Sequence, residues 1–216
     1  MARPAKAAIV SDKEVMVMLE RYHCPVPFHI VRTRFLGNIA TPGQQVAPMD
    51  MVKALWGGEL PSFDNLDAVN ELLGTLVMGL WNQLTNHQER SAPFRLSRLE
   101  VAPTREDLAE MALLRRQEID GFVDGLFGPA AELDLPNRAH RALDALAGAR
   151  ALLEAAQEVA LDLNKPAKPI DLADTLRHLR ELSRIAEHEI HEAVLACARA
   201  RRQFLEMWPA SRSTVH

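Results

Sequence analysis

Aromatic residues are scarce in this chain, 5% of 216 positions, and β-branched residues never alternate with polar ones over a sustained run. A sheet has little to be built from, and an all-α fold is expected. Cysteine is nearly absent too: Cys24 and Cys197 stand far apart, with no CxxC and no Cys/His spacing. That excludes a disulfide framework and a cysteine zinc module, and it leaves two reduced thiols. No apolar run reaches bilayer length, and the opening MARPAKAAIVSDKEV has positive charges without the apolar stretch of a secretion signal. No membrane contact is expected, and the chain is placed in the cytoplasm. Charge of one sign is also lacking: 25 Lys and Arg face 29 Asp and Glu, a net −4, which argues against a nucleic-acid partner. There is no Walker loop, no GxSxG, no SxxK and no GxGxxG after a strand. No catalytic residue and no cofactor is assigned, and the chain reads as a non-enzyme.

What is present is helical material, with 48% hydrophobic residues to bury. The stretch from Lys53 to His87 organises it. Trp56 closes a short amphipathic run, Gly57 and Gly58 supply the unusual backbone angles of a tight turn, and Pro61 stops any helix from crossing it. Asp64 is placed to cap the next helix, with Asp67 in its first turn. Leu66, Val69, Leu73, Leu76, Leu80 and Leu84 then recur at three- and four-residue steps, widened by Leu72, Val77 and Trp81. Gly74 and Gly79 cost helix stability and predict close approach of neighbouring backbones.

Along the rest of the chain, residues 1–10 read as a loose arm, and Ser11 or Asp12 caps a first helix bearing Val15, Met16, Leu19 and Tyr22. A second helix opens at Phe28 after two prolines, and Pro48 starts a third. Residues 88–103 form a strap packed by Phe94, Leu96 and Leu99. Thr104 with Asp107 begins a helix whose buried side is Leu108, Ala112, Ile119, Phe122, Val123 and Leu126, ended by Gly128-Pro129. A boundary falls there: 11–128 is a multi-helix core, 129–209 a long antiparallel helical hairpin and 210–216 a tail. One arm of the hairpin carries an alanine-rich seam at four-three spacing from Leu135 through Leu146 and Leu153 to Leu163. The other repeats that spacing from Leu172 to Met207.

Four pieces, FLGNIATPG near Leu36, LWGGELPSF, NELLGTLVMGLWNQL and IDGFVDGLFG, make the stretch from Phe35 to Gly128 resemble the YecA/YgfB-like family of small bacterial helical proteins. The resemblance implies an all-helical, often dimeric protein. Some relatives end in a cysteine-rich zinc module, which this chain lacks; it carries the alanine-rich hairpin instead.

Two clusters are weighed as sites. In EHEIHE, Glu187 pairs with His191 and His188 with Glu192 at four-residue spacing, so either pair could offer a metal two ligands from one helix face. The histidines are three apart, which is not the HExxH of zinc proteases, and both fall outside the heptad seam, where a solvated charged face accounts for them. Arg199, Arg201 and Arg202, with Phe204 and Trp208 close by, form a basic knot that either complements the helix dipole or meets an acidic partner. The candidate carboxylates and histidine Asp64, Asp67, Glu71 and His87 are explained by capping and solvation.

The reading that follows is a self-associating helical interaction module, expected as a homodimer, with a regulatory or scaffolding role and a protein partner not named by the sequence. The alternatives are a metal-binding protein or enzyme using the His188/His191 face, and a nucleic-acid-associated regulator using the three arginines.

Overall fold

The computed structural model describes residues 10–43, 45–129, 133–164 and 168–207, and among them the fold is all-helical, with no strand. The helices are α1 (Asp12–Arg21), α2 (Phe28–Ala40), α3 (Pro48–Ala54), α4 (Leu66–Leu73), α5 (Asn82–Thr85), α6 (Arg105–Phe127), α7 (Asn137–Leu161) and α8 (Pro169–Met207). The tail, Trp208 and all of the arm except Val10 lie outside the described residues.

Helix α6 is the axis of the fold. His29 and Arg34 of α2 and Thr41 just after it meet Gln117, Asp124 and Leu126 of α6 in that order, so the two helices run parallel. On the other side Arg116 and Arg150 bond Glu154 and Asp120, which sets α7 antiparallel to α6. Helix α8 returns against α7: Arg138, at the start of α7, pairs with Glu189 and Glu192 midway along α8. The far half of α8 passes into the interior, and Ala193 through Ala198 are all buried. A helix apolar on every side must be enclosed on every side. Packing is therefore continuous across Gly128, and one cluster of buried residues runs from Val15 to Cys197.

Glycine makes the α2–α6 contact possible. An ideal Cβ on Gly37 would sit 2.1 Å from the Phe122 carbonyl oxygen, and one on Gly125 would sit 1.9 Å from that of Arg34. Backbone lies directly on backbone there. Gly79 likewise makes room for Val10, whose carbonyl accepts from Gln83 Nε2 at 2.9 Å, so this end of the expected loose arm is tied down. Gly74 is different: among the described residues nothing lies within 4 Å of its missing Cβ, against the close approach expected for it.

Between α4 and α5 the helix loosens into a π-helical segment, Gly74–Trp81. Leu72, Leu76, Leu80 and Leu84 are buried at four-residue steps. An α-helix would rotate such a row by about 40° per step; the wider π turn offsets that drift and keeps the row on the core. Leu66, expected in the stripe, is 72% exposed. The cap is Asn65, whose Oδ1 accepts from Ala68 N, rather than Asp64. At the first helix, Ser11 and Glu14 form a reciprocal capping box. Gly57 and Gly58 have φ of 80° and 109°, and the Trp56 indole donates to the Tyr22 carbonyl at 2.9 Å.

The strap after α5 brings irregular backbone into the interior, with Phe94 and Leu96 buried. Buried peptide groups without a ladder need other partners. Ser97 N–H donates to Glu118 Oε1 at 2.8 Å, and its carbonyl accepts from Arg115 Nη2 at 2.8 Å. Arg115 also donates to Glu118 Oε2 at 2.5 Å and to Ser183 Oγ at 3.1 Å. This buried ion pair on α6 thus fastens the strap and α8 together.

Candidate functional site

The last turns of α7 and the first turns of α8 do not close on each other. They flank a groove of about 530 Å³, walled by Leu152, Ala156 and Val159 from one helix and Leu172, Leu179 and Leu182 from the other. Arg105, at the head of α6, donates to the Ala160 and Asp162 carbonyls and so caps the end of α7 beside the groove. Around it stand large apolar side chains in solvent: Leu152 is 59% exposed, Val159 48%, Leu161 60% and Ile170 64%. Leu163, expected in the buried seam, is 86% exposed because α7 has already ended at Leu161. Asp171 and Glu181 mark the rim. A contiguous apolar patch with a polar rim is the usual mark of a contact surface.

The EHEIHE residues point in different directions. Glu187 reaches the strap, accepting from Arg95 Nη1 at 2.8 Å and Leu96 N at 3.1 Å. Glu192 turns to α7 and Arg138, and His188 faces solvent. His191 is buried, against the solvated position expected for it. No group of three or more His, Cys, Asp or Glu side chains able to hold a metal ion occurs among the described residues.

The basic knot is divided in the same way. Arg201 is half-buried and donates to the Ile39 carbonyl at 2.6 Å, where it serves the C-terminal end of α2 rather than an outside partner. Arg202 bonds the Ala198 carbonyl of its own helix at 3.4 Å. Arg199 and Phe204 are exposed. Burial pushes the neighbouring Cys197 thiol up to about 11, which keeps it protonated and unreactive.

His191 was visible in the sequence, but its setting was not. Neither ring nitrogen has a hydrogen-bond partner among the described residues. Burial holds its pKa below the ordinary histidine value; the positive charges of His87, His188 and Arg95 add to that effect, and Glu192 opposes it. His87, stacked edge-on against Phe94, is lowered as well, first by burial. The sign follows from linkage: a histidine whose folded pKa is depressed binds its proton first in the unfolded chain. Stability is then constant above about pH 6.5 and falls as pH drops through 6.5 toward the folded value. We expect the urea midpoint of the wild type to decline between pH 6.5 and 5, and that of His191→Leu to decline less. Parallel profiles would show that His191 is not the source.

No protein-family model, curated protein or solved structure matches the chain.

Proposed function

We propose that this protein is a non-enzymatic helical interaction module that self-associates through the open end of the α7–α8 hairpin and serves a regulatory or scaffolding role. The observation that carries the reading is the apolar groove with Leu152 and Val159 exposed beside it. Leaving such a surface in water forgoes about 25 cal/mol per Å² that burial against another helix would recover. The polar clusters read as structural: Glu187 holds the strap, Glu192 holds α7 and Arg201 holds α2. Kinship with YecA/YgfB-like proteins belongs to the same proposal. It is supported by Gly37 of FLGNIATPG and Gly125 of IDGFVDGLFG, which meet across the α2–α6 contact.

Point variants of the full chain test this best, since removing α7 and α8 would also strip Ser183 from Arg115 and uncover α6. Light scattering over a concentration series is expected to give a dimer for the wild type. Leu152→Glu is expected to weaken the dimer by about 30-fold or more, the effect of losing one central anchor. A wild type that stays monomeric at every concentration would overturn the reading.

A further inference from the structure

Two histidines lie on the seam where irregular chain meets α8. The 3-10 turn Asn86–Gln88, which leads from α5 into the strap, packs against α8, and its His87 is close enough for its charge to bear on His191. His191 stands one helical turn past Glu187, whose carboxylate fastens the strap by accepting from Arg95 and from Leu96 N–H. The seam is poor in partners. Both ring nitrogens of His191 and the Ser97 Oγ are buried there without a hydrogen bond among the described residues. Polar groups left in that state lower the stability of the segment that covers them.

The charges around the pair do not welcome another proton. From the strap comes Arg95, from α2 Arg32, which lies over the Phe94 ring and bears on His87, and from α8 His188. Against them stand carboxylates that are already engaged: Glu187 with the strap, and Glu189 and Glu192 with Arg138 of α7. Helix α6 contributes Arg115 and Glu118, paired with each other on Ser97. Glu89 and Arg90 of the strap itself are exposed. A charged His191 thus has no acceptor inside the seam, and a charged His87 adds to the repulsion. His191 rides on a continuous helix anchored by the buried run Ala193 to Ala198, whereas His87 rides on a three-residue turn. The strap is the side that yields.

We propose that residues 86–96 form an acid-released latch: protonation of His191 and His87 detaches this part of the chain from α8 while the helices behind it stay packed. Release carries the buried Phe94 and Leu96 into solvent, so this apolar surface is presented only in acid. The device is separate from self-association through the α7–α8 groove.

The test is amide hydrogen exchange of the full chain between pH 6.5 and 5.5, above the range in which ordinary carboxylates protonate, corrected for the intrinsic pH dependence of exchange. The readout is Leu96 N–H, which the closed strap holds on Glu187, set against the amides of α6 around Phe122. Two histidines that take up protons only in the released state raise its population by about 30-fold over that unit, and one histidine by about fivefold. Wild type is expected to show the larger change at Leu96 and His191→Leu the smaller. His87→Asn keeps a donor for the Ala92 carbonyl without titrating, and combined with His191→Leu it should leave Leu96 flat. The α6 amides should stay protected throughout. Constant protection of Leu96 in the wild type, an equally steep loss in the double variant, or loss at Leu96 and α6 together with one slope would each overturn the latch.

Discussion

Gly125→Ala is expected to destabilise the protein by about 3 kcal/mol, although the substitution adds a better helix former in the middle of a helix. Alanine would normally gain about 1 kcal/mol there. The new Cβ, however, would lie 1.9 Å from the Arg34 carbonyl oxygen and 2.7 Å from its carbon, distances at which repulsion leaves no room for adjustment. The obstacle is backbone, so no rotamer change relieves it, and α2 and α6 must separate along the surface that buries Phe35, Phe122 and Leu126. Overpacking of a close-packed interior costs about 1–3 kcal/mol when side chains can yield, and more when they cannot. For a chain of this size the loss corresponds to a fall in Tm of about 6–12 °C. Gly74→Ala is the control, because no described residue lies within 4 Å of the Cβ it would add, and it should be neutral or stabilising. Equal urea midpoints for Gly125→Ala and the wild type would refute the account of the interface.

These glycines also show how much of the fold could be read in advance. Helix positions, the turn at Gly57 and Gly58 and the buried strap residues Phe94 and Leu96 follow from local chemistry: caps, prolines and apolar spacing. Which helix lies on which does not, because the four-three rule gives a face but not its neighbour. Gly37 and Gly125 stand out only as motif letters, and their contact needs two helices 88 residues apart in sequence to run parallel. The π segment is hidden for a related reason, since leucines at every fourth position read as an α stripe until the rotation is counted. The hairpin seam is legible, whereas its open end is not. Leu152 and Val159 fall off the seam, yet they form the apolar wall on which the functional proposal rests.

One further sign lies in the sequence, and apolar spacing alone passes over it. Leu108, Ala112, Ile119, Phe122 and Leu126 mark a stripe whose spacing also calls position 115 inward, and position 115 is an arginine with a glutamate three residues on. A charge on an apolar stripe signals a buried pair, and it forecasts the second large effect. Glu118→Gln is expected to cost about 3 kcal/mol. The carboxylate accepts from two separate donors, Ser97 N–H at Oε1 and Arg115 Nη1 at Oε2. An amide has one accepting end, so whichever way the new side chain turns, a donor meets a donor. Arg115 is then left with a buried charge that is not compensated, the case that costs about 3–5 kcal/mol when one partner of an interior pair is removed. Arg115→Met should cost a similar amount for the mirror reason, leaving a carboxylate at 0% exposure. Combining Arg115→Met with Glu118→Leu removes both charges and returns packing in their place. The double variant is therefore expected to lose at least about 2 kcal/mol less than the two single losses added together. What it cannot recover is the pair of strap hydrogen bonds at Ser97, so it stays below the wild type. Urea denaturation of the wild type, the two single variants and the double variant decides the matter: additive losses would mean that Arg115 and Glu118 act separately, and that the strap is held by its apolar residues alone.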